Sequence, residues 1–197
     1  MADNATMLTL KGVTILYPRL HTPSKPHGAD EDAPETYSGL FLVDPAEKAK
    51  IDAAIDAAIA DRWGNKPPAN LKMPYRDGDE KDLRTGDFVK KPDFYRGKLV
   101  VSANSYKQPT LWWGPQKVMP SEDEMYSGLV CAVSLNASAY DATVSKGVKF
   151  YLNGVWVTGK GKKIETGVDG AQELGKLADD LQFDGDMADD VDMALAS

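Results

Sequence analysis

The chain has 197 residues, of which 42% are hydrophobic and 27% are charged, as in an ordinary globular protein. It contains no apolar run near the roughly 20 residues that a membrane-spanning helix needs, and its single cysteine, Cys131, excludes an intramolecular disulfide bond. The net charge of −7 would argue against a polyanionic ligand if it were spread evenly along the chain.

The N-terminal region predicts two strands separated by a loop. Residues 7–17 have strand composition, with Gly12 marking a bulge or bend, and Pro18 is expected to end this strand. Residues 21–34 are polar and proline-rich, which predicts a loop. Residues 37–43 then predict the second strand.

One helix is predicted next. Asp44 and Pro45 have the pattern of a helix N-cap followed by proline at the first helical position. The helix is expected to reach about Trp63, with Gly64 as its stop. Its isoleucines recur at helical spacing, which predicts one buried face: Ile51, Ile55 and Ile59.

The remaining elements of the body are predicted to be strands. Residues 65–97 are loop-rich, because four prolines and a turn break any long element. One helix within five or six strands favours an antiparallel Greek-key barrel, the oligonucleotide/oligosaccharide-binding (OB) fold, with a β-sandwich as the competing architecture. Four strands are expected here: 98–103, 109–114, 128–139 and 147–158.

The C-terminal region differs sharply in charge from the body. Residues 165–197 contain ten acidic side chains and one lysine, a net charge of −9, whereas residues 1–164 carry 22 basic and 20 acidic residues, a net charge of +2. We therefore expect a mainly β domain over 1–164 and a disordered acidic tail over 165–197. Such a tail can compete with a nucleic acid for a basic groove or present acidic groups to a partner protein.

Candidate catalytic and metal-binding groups are few. His21 and His27 both lie in the predicted loop, with no cysteine or carboxylate pair at ligand spacing, and we expect them to be exposed. Residues 154–160 match the first seven positions of a phosphate-binding loop, but Gly161 stands where Ser or Thr must bind magnesium, and the segment itself has strand composition. We expect no enzymatic activity, no metal and no cofactor, and we expect Cys131 to be a buried thiol.

The middle of the chain combines basic and aromatic residues. Between residues 72 and 117 there are ten Lys or Arg residues and seven aromatic residues. Single-stranded nucleic acid is held by this combination, because cations follow the backbone while rings stack on unpaired bases. For each ring taken alone, packing in the barrel core is the favoured interpretation.

Strand alternation helps to assign these rings. Adjacent residues point to opposite faces of a strand, so one of Trp112 and Trp113 can be buried while the other is exposed. The last strand predicts an interior face and a candidate binding face: Val148, Phe150 and Leu152 inside, and Lys149, Tyr151 and Asn153 outside.

Five motifs follow one another along the body: Met73-Pro-Tyr-Arg-Asp-Gly-Asp79, Tyr95-Arg-Gly97, Ser102-Ala-Asn-Ser105 with Pro109, Tyr126-Ser-Gly128, and Lys146-Gly-Val-Lys-Phe-Tyr-Leu-Asn153. In this order they resemble a phage-encoded family that was first catalogued as a domain of unknown function. The resemblance covers roughly residues 7–163 and implies a replication single-stranded DNA-binding protein with an OB fold. The acidic tail resembles those that recruit replication partners and compete with DNA, although its end, Met193 to Ser197, lacks a terminal aromatic residue.

We therefore expect a sequence-independent single-stranded DNA-binding protein of phage replication or recombination, acting in the bacterial cytoplasm. Its partners would be single-stranded DNA and, through the tail, replication proteins such as a polymerase or helicase. The expected base-stacking rings are Tyr106, Trp112 or Trp113, Tyr126 and Tyr151. The expected phosphate contacts are Arg76, Arg84, Lys98, Lys107, Lys117 and Lys149.

Two other classes of function remain open from the sequence. The protein could be an acidic interaction adaptor or DNA mimic that binds no DNA itself. It could also be an OB-type nucleic-acid enzyme, such as a nuclease or ligase fragment, which would need a metal or nucleotidyl-lysine site.

Overall fold

The computed structural model describes residues 5–25, 31–80 and 93–165. The chain divides into two units, Met1–Ile164 and Glu165–Ser197, and nearly all described residues belong to the first. His27, Arg84 and all of the predicted acidic tail except Glu165 therefore lie outside the described residues. The elements are β1 (Met7–Ser24), β2 (Thr36–Val43), α1 (Lys48–Trp63), β3 (Tyr75–Asp77), β4 (Leu99–Ser105), β5 (Thr110–Trp113), β6 (Val130–Asp141) and β7 (Lys146–Gly159).

Five strands close a barrel in the order β1-β2-β4-β7-β6, with β6 pairing back to β1. The predicted mainly β barrel with a single helix is confirmed for the described part of the chain. The direction of one strand pairing differs from the predicted antiparallel barrel. β7 runs parallel to β4 and to β5, so the barrel is not wholly antiparallel. Strand order explains this, because β5 and β6 lie between β4 and β7 in the chain and supply the long crossover that a parallel pair requires.

The strand β3 was not predicted, and with β5 it extends the sheet beyond the five barrel strands to seven. It pairs with the first part of β4. Three residues among prolines are too few to show a period of two, so pattern alone cannot find such a strand.

Strand β1 continues through Pro18, where the sequence predicted its end. The pairing of β1 with β2 shifts register between Leu16 and Arg19, and Tyr17 has a positive φ of 49°. The Tyr17 backbone N–H donates to Ser127 Oγ over 2.9 Å. Proline is tolerated at a bulge, because no ladder hydrogen bond is required of it there. The predicted loop therefore starts later, since residues 21–24 still belong to the strand.

Helix α1 is bounded as predicted. Asp44 accepts a hydrogen bond from the Ala46 backbone N–H at 2.9 Å, and one turn of 3₁₀ helix, Pro45–Glu47, leads into α1. Gly64 ends α1 with a φ of 58°. The apolar stripe packs mainly against β6 and its fully buried members are Ile51, Ala54, Ile55 and Ala58. No helix in the described part of the chain has the length and apolarity needed to cross a membrane.

A polar cluster connects α1 to β3. The Tyr75 hydroxyl donates to Asp52 Oδ1 over 2.8 Å, and Lys48 Nζ donates to the other carboxylate oxygen. Burial raises the pKa of Asp52, but the hydrogen bonds from Lys48 and Tyr75 outweigh it and hold the pKa below its ordinary value of 3.8. The carboxylate is therefore a structural tie between the helix and the sheet.

The end of the body is fixed by a close backbone crossing. A Cβ at Gly128, which has a φ of +117°, would lie 2.1 Å from the Lys162 carbonyl oxygen, so a side chain is excluded there. The Ile164 N–H donates to the Ser127 carbonyl oxygen over 2.8 Å. The Ile164 side chain packs against a second small core on the outside of the barrel, formed by Leu16, Leu42, Tyr95 and Val100.

Candidate nucleic-acid interface

The outer face of β7 is defined by a bulge in its pairing with β6. Ser134 pairs with Gly154, but Leu135 pairs with Leu152, so Asn153 is the extra residue. The predicted alternation holds before the bulge and changes phase after it, because Val155 and Val157 are buried. As a result, Trp156 shares the outer face with Tyr151 and Lys149.

The first ring pair on this face is Tyr106 and Tyr151. Tyr106 follows β4 and is 56% exposed, and Tyr151 lies on β7 next to Asn104 of β4 in the parallel register. Lys149 Nζ lies 5.6 Å from the Tyr106 ring centroid and 4.5 Å from the Tyr151 ring centroid. One ammonium group therefore bridges two rings that come from different parts of the chain.

The second ring pair is Trp112 and Trp156. The two residues are direct register partners on β5 and β7, and their rings pack edge to face with centroids 5.7 Å apart. Lys117 Nζ lies 4.7 Å from the Trp112 centroid and 5.3 Å from the Trp156 centroid. The geometry of the first pair is thus repeated farther along β7.

The turn after β5 explains the position of Lys117. Gly114 and Lys117 have positive φ values of 60° and 55°, which turn the chain back on itself. The Gly114 N–H donates to the Val157 carbonyl oxygen over 3.0 Å, and its carbonyl oxygen accepts from Trp156 Nε1 over 2.8 Å. The same residue thereby orients the Trp156 ring and anchors the turn that carries the lysine.

We call these six side chains the aromatic strip: Tyr106, Trp112, Lys117, Lys149, Tyr151 and Trp156. Within the described residues, neither Lys117 nor Lys149 forms an ion pair with a carboxylate. No carboxylate of the described residues therefore pairs directly with either ammonium group. Rings with nearby cations on one strand face provide flat surfaces for bases and positive charge for phosphates.

The structure brings six of the eleven predicted site residues to this region. Five belong to the aromatic strip, and Lys107 is adjacent to Tyr106 in the β4–β5 loop, where its backbone N–H donates to Ser105 Oγ. The six are Tyr106, Lys107, Trp112, Lys117, Lys149 and Tyr151.

Four other predicted residues lie elsewhere, and Arg84 is outside the described residues. Trp113 and Tyr126 are partly buried against the main core, and the Tyr126 hydroxyl donates to the Gly161 carbonyl oxygen. Lys98 precedes β4, and its Nζ lies 3.8 Å from Asp44 Oδ2. The guanidinium carbon of Arg76 lies 5.6 Å from the Tyr95 ring centroid. Tyr106 follows β4, so this seven-residue strand, roughly 23 Å long at 3.3 Å per residue, separates it from Lys98.

Trp156 was not predicted from the sequence to be a binding residue. Trp156 lies within the residues that resembled a phosphate-binding loop and were correctly assigned to a strand. Simple alternation from Lys149 places residue 156 inside the barrel. Gly154 was the available signal, because an interior glycine in a strand often marks a bulge that changes the phase.

Metal-binding groups are not assembled in the described part of the chain. It contains no cluster of three His, Cys, Asp or Glu side chains that could hold a metal ion. His21 is partly buried rather than exposed as predicted, because its Nε2 donates to the Pro120 carbonyl oxygen over 2.8 Å. Cys131 is buried as predicted, and burial raises its thiol pKa to about 12.

The closed five-stranded barrel with a single helix places the protein in the OB-fold class. Residues 6–188 match the family described as the ssDNA-binding protein of Enterobacter phage Enc34, and this chain belongs to that family. The resemblance inferred from the sequence motifs is thereby confirmed. No curated protein sequence shows significant similarity to the chain.

Solved structures agree with this fold. The single-stranded DNA-binding protein from bacteriophage Enc34 in complex with ssDNA has a TM-score of 0.67 at 17% identity, covering 82% of this chain and 91% of that one. A separate structure of the same phage protein has a TM-score of 0.65 at 17% identity, and the match covers 87% of this chain and 91% of that one. Gp2.5, the single-stranded DNA-binding protein encoded by bacteriophage T7, gives 0.50 at 16% identity, covering 91% and 96%.

Proposed function

We propose that this chain binds single-stranded DNA without regard to base sequence, through the aromatic strip, and catalyses no reaction on it. Membership of the Enc34 ssDNA-binding protein family supports single-stranded DNA as the ligand. The location of the DNA-binding site is proposed from two ring pairs along the outer face of β7, each with a lysine ammonium group near both of its rings.

In the proposed complex, unpaired bases stack on the rings while the lysines contact phosphates. Every base has a flat π-face, so stacking tolerates any sequence, and each stacked base contributes about 1–3 kcal/mol. Lys117 and Lys149 lie over the rings in the free protein. Long, flexible lysine side chains can leave the ring faces and move to the backbone of an incoming strand.

Lys107 is proposed as a further phosphate contact beside Tyr106. Arg76 and Lys98 are proposed to contact phosphates only when a longer strand extends past β4, and Arg84 is kept as a further proposed phosphate contact. Trp113 and Tyr126 are left out of the stacking set, because both pack against the core.

The acidic tail, residues 165–197, is proposed to compete with DNA for the lysines and to recruit replication proteins. Its net charge of −9 is opposite in sign to the body's +2, so attraction between the two is expected to weaken with salt. The setting proposed for this activity is phage DNA replication or recombination in the cytoplasm of the bacterial host.

Titration of tryptophan fluorescence with poly-dT across a salt series tests this proposal. Stacking on Trp112 or Trp156 is expected to quench emission, and the log–log slope of affinity against salt should be about −0.7 per phosphate neutralised. A parallel gel shift with an unstructured oligonucleotide separates this function from an adaptor or DNA mimic. Absence of binding at low salt would overturn it.

A further inference from the structure

A pocket of about 390 Å³ opens on the outer face beside the tryptophan pair, between β1, β5, β6 and β7. We propose that this pocket is a slot for one unpaired nucleobase, and that it accepts all four bases because its polar groups can each donate and accept hydrogen bonds. This inference rests on the proposed single-stranded DNA binding and adds a mode of base recognition that stacking alone does not provide.

Two indole rings form one side of the slot. Trp156 is held in place by its hydrogen bond to the Gly114 carbonyl oxygen, and the edge-to-face contact with Trp112 positions the second ring. Trp112 remains 37% exposed, so part of its surface is open to a ligand. The walls are therefore preorganised while the entrance stays accessible.

The floor of the slot is kept flat by small residues. Gly154 lacks a side chain, and a Cβ there would lie 3.1 Å from the Thr110 carbonyl oxygen, a tight contact that the glycine avoids. Ala132, which pairs with Trp156 on β6, contributes only a methyl group. A planar ring can lie on such a surface without displacing core side chains.

The rim of the slot carries unused polar groups. Four polar side chains line it, and none of them makes a hydrogen bond within the described ranges 5–25, 31–80 and 93–165. Asn153 is the bulge residue of β7, and bulges commonly re-aim a side chain out of the regular ladder. The four are Thr9, Thr110, Ser134 and Asn153.

The chemistry of these four side chains explains why the slot would accept any of the four bases. A hydroxyl donates and accepts, and an amide carries both a donor and an acceptor that exchange places when the group rotates. Asn153 can therefore match thymine, cytosine, adenine or guanine by turning its amide. A rim of fixed donors or fixed acceptors would instead reject bases that leave those groups unpaired.

Equal-length dT, dC and abasic oligonucleotides test the slot in the full chain. The parent protein is expected to bind dT and dC similarly, and the abasic strand more weakly. Asn153→Asp leaves only acceptors, which can accept from the cytosine amino group but are repelled by the two carbonyl oxygens that flank the single ring N–H of thymine. The dC-to-dT affinity ratio should therefore rise about fivefold or more. Asn104→Asp is the matched control, because it adds the same charge beside Tyr151 but outside the slot, and should weaken dT and dC equally.

A second variant fills the slot without changing charge. Ala132→Leu should weaken dT and dC binding and leave binding of the abasic strand unaltered. An unchanged dC-to-dT ratio in Asn153→Asp, or an equal loss on all three strands in Ala132→Leu, would overturn the slot while leaving general DNA binding in place. Failure of the parent protein to bind any strand would instead overturn the proposed function itself.

Discussion

Lys117 lies over Trp112, with its ammonium nitrogen 4.7 Å from the ring centroid, although the two residues belong to opposite sides of one tight turn. The turn reverses through Gly114 and is tied to β7 by a backbone hydrogen bond. A cation and a ring are thus placed together by local backbone geometry. This relationship makes the role of each partner separately testable.

Replacing Lys117 by alanine should reduce the salt dependence of DNA binding. Loss of one phosphate contact is expected to lower the magnitude of the log–log slope by about 0.7. Lys66→Ala is the matched control, since Lys66 is exposed after α1 and outside the aromatic strip. A slope in Lys117→Ala equal to that of the control would remove this lysine from the phosphate contacts.

Replacing Trp112 by alanine should weaken binding of poly-dT by about 1–3 kcal/mol, the contribution of one stacked base. Trp63→Ala provides a comparison, because Trp63 lies at the end of α1 and donates to Asp141 rather than facing the strip. Isothermal calorimetry or fluorescence anisotropy measures both affinities. Stacking on Trp112 is contradicted if the two variants bind with the same affinity as the parent protein.

Deleting residues 165–197 should tighten DNA binding at low salt. The deletion removes a net charge of −9 that would compete for the same lysines, and screening should make the two proteins converge as salt rises. Competition between tail and DNA requires this convergence. Equal affinity of the full-length and truncated chains at the lowest salt would rule it out.

Asp52→Asn should destabilise the fold at neutral pH but not in acid. The pKa of Asp52 is lower in the folded protein than its ordinary value of 3.8, so its stabilising contribution is fully present above that value and is lost as pH falls through the folded value. Melting temperatures of the parent and variant should therefore differ at neutral pH and converge as the pH falls below 3.8 and through the pKa of Asp52 in the folded protein. A difference that persists unchanged in acid would mean that the charge of Asp52 is unimportant.

Much of the barrel could be predicted from sequence because alternation and capping are local signals. Val148, Phe150 and Leu152 were placed inside correctly, and Asp44 was identified as the helix cap. The prediction that β1 ends at Pro18 was wrong, because a proline breaks a strand only where the partner strand requires a backbone N–H at that position. That information lies in the register with β2, not in the local sequence.

The candidate site was harder to predict because nearness in sequence is not nearness in space. Lys98 and Tyr106 are eight positions apart, yet they stand at opposite ends of β4. Trp156 is far from Trp112 in the sequence and is nevertheless its direct neighbour. Only the parallel pairing of β5 with β7 brings those two rings together.

The edge of β7 that pairs with β5 also pairs with β4, and the β4–β7 pairing is the shortest in the barrel wall. β4 meets β7 through only two residue pairs, Ala103 with Phe150 and Asn104 with Tyr151, whereas β6 follows β7 almost throughout its length. Tyr106 follows β4 and Tyr151 lies on β7, so the two tyrosines come from the two strands of this short pairing. A DNA strand that contacts both tyrosines would bridge the shortest strand pairing of the barrel wall, and its binding to the folded state would raise thermal stability by mass action.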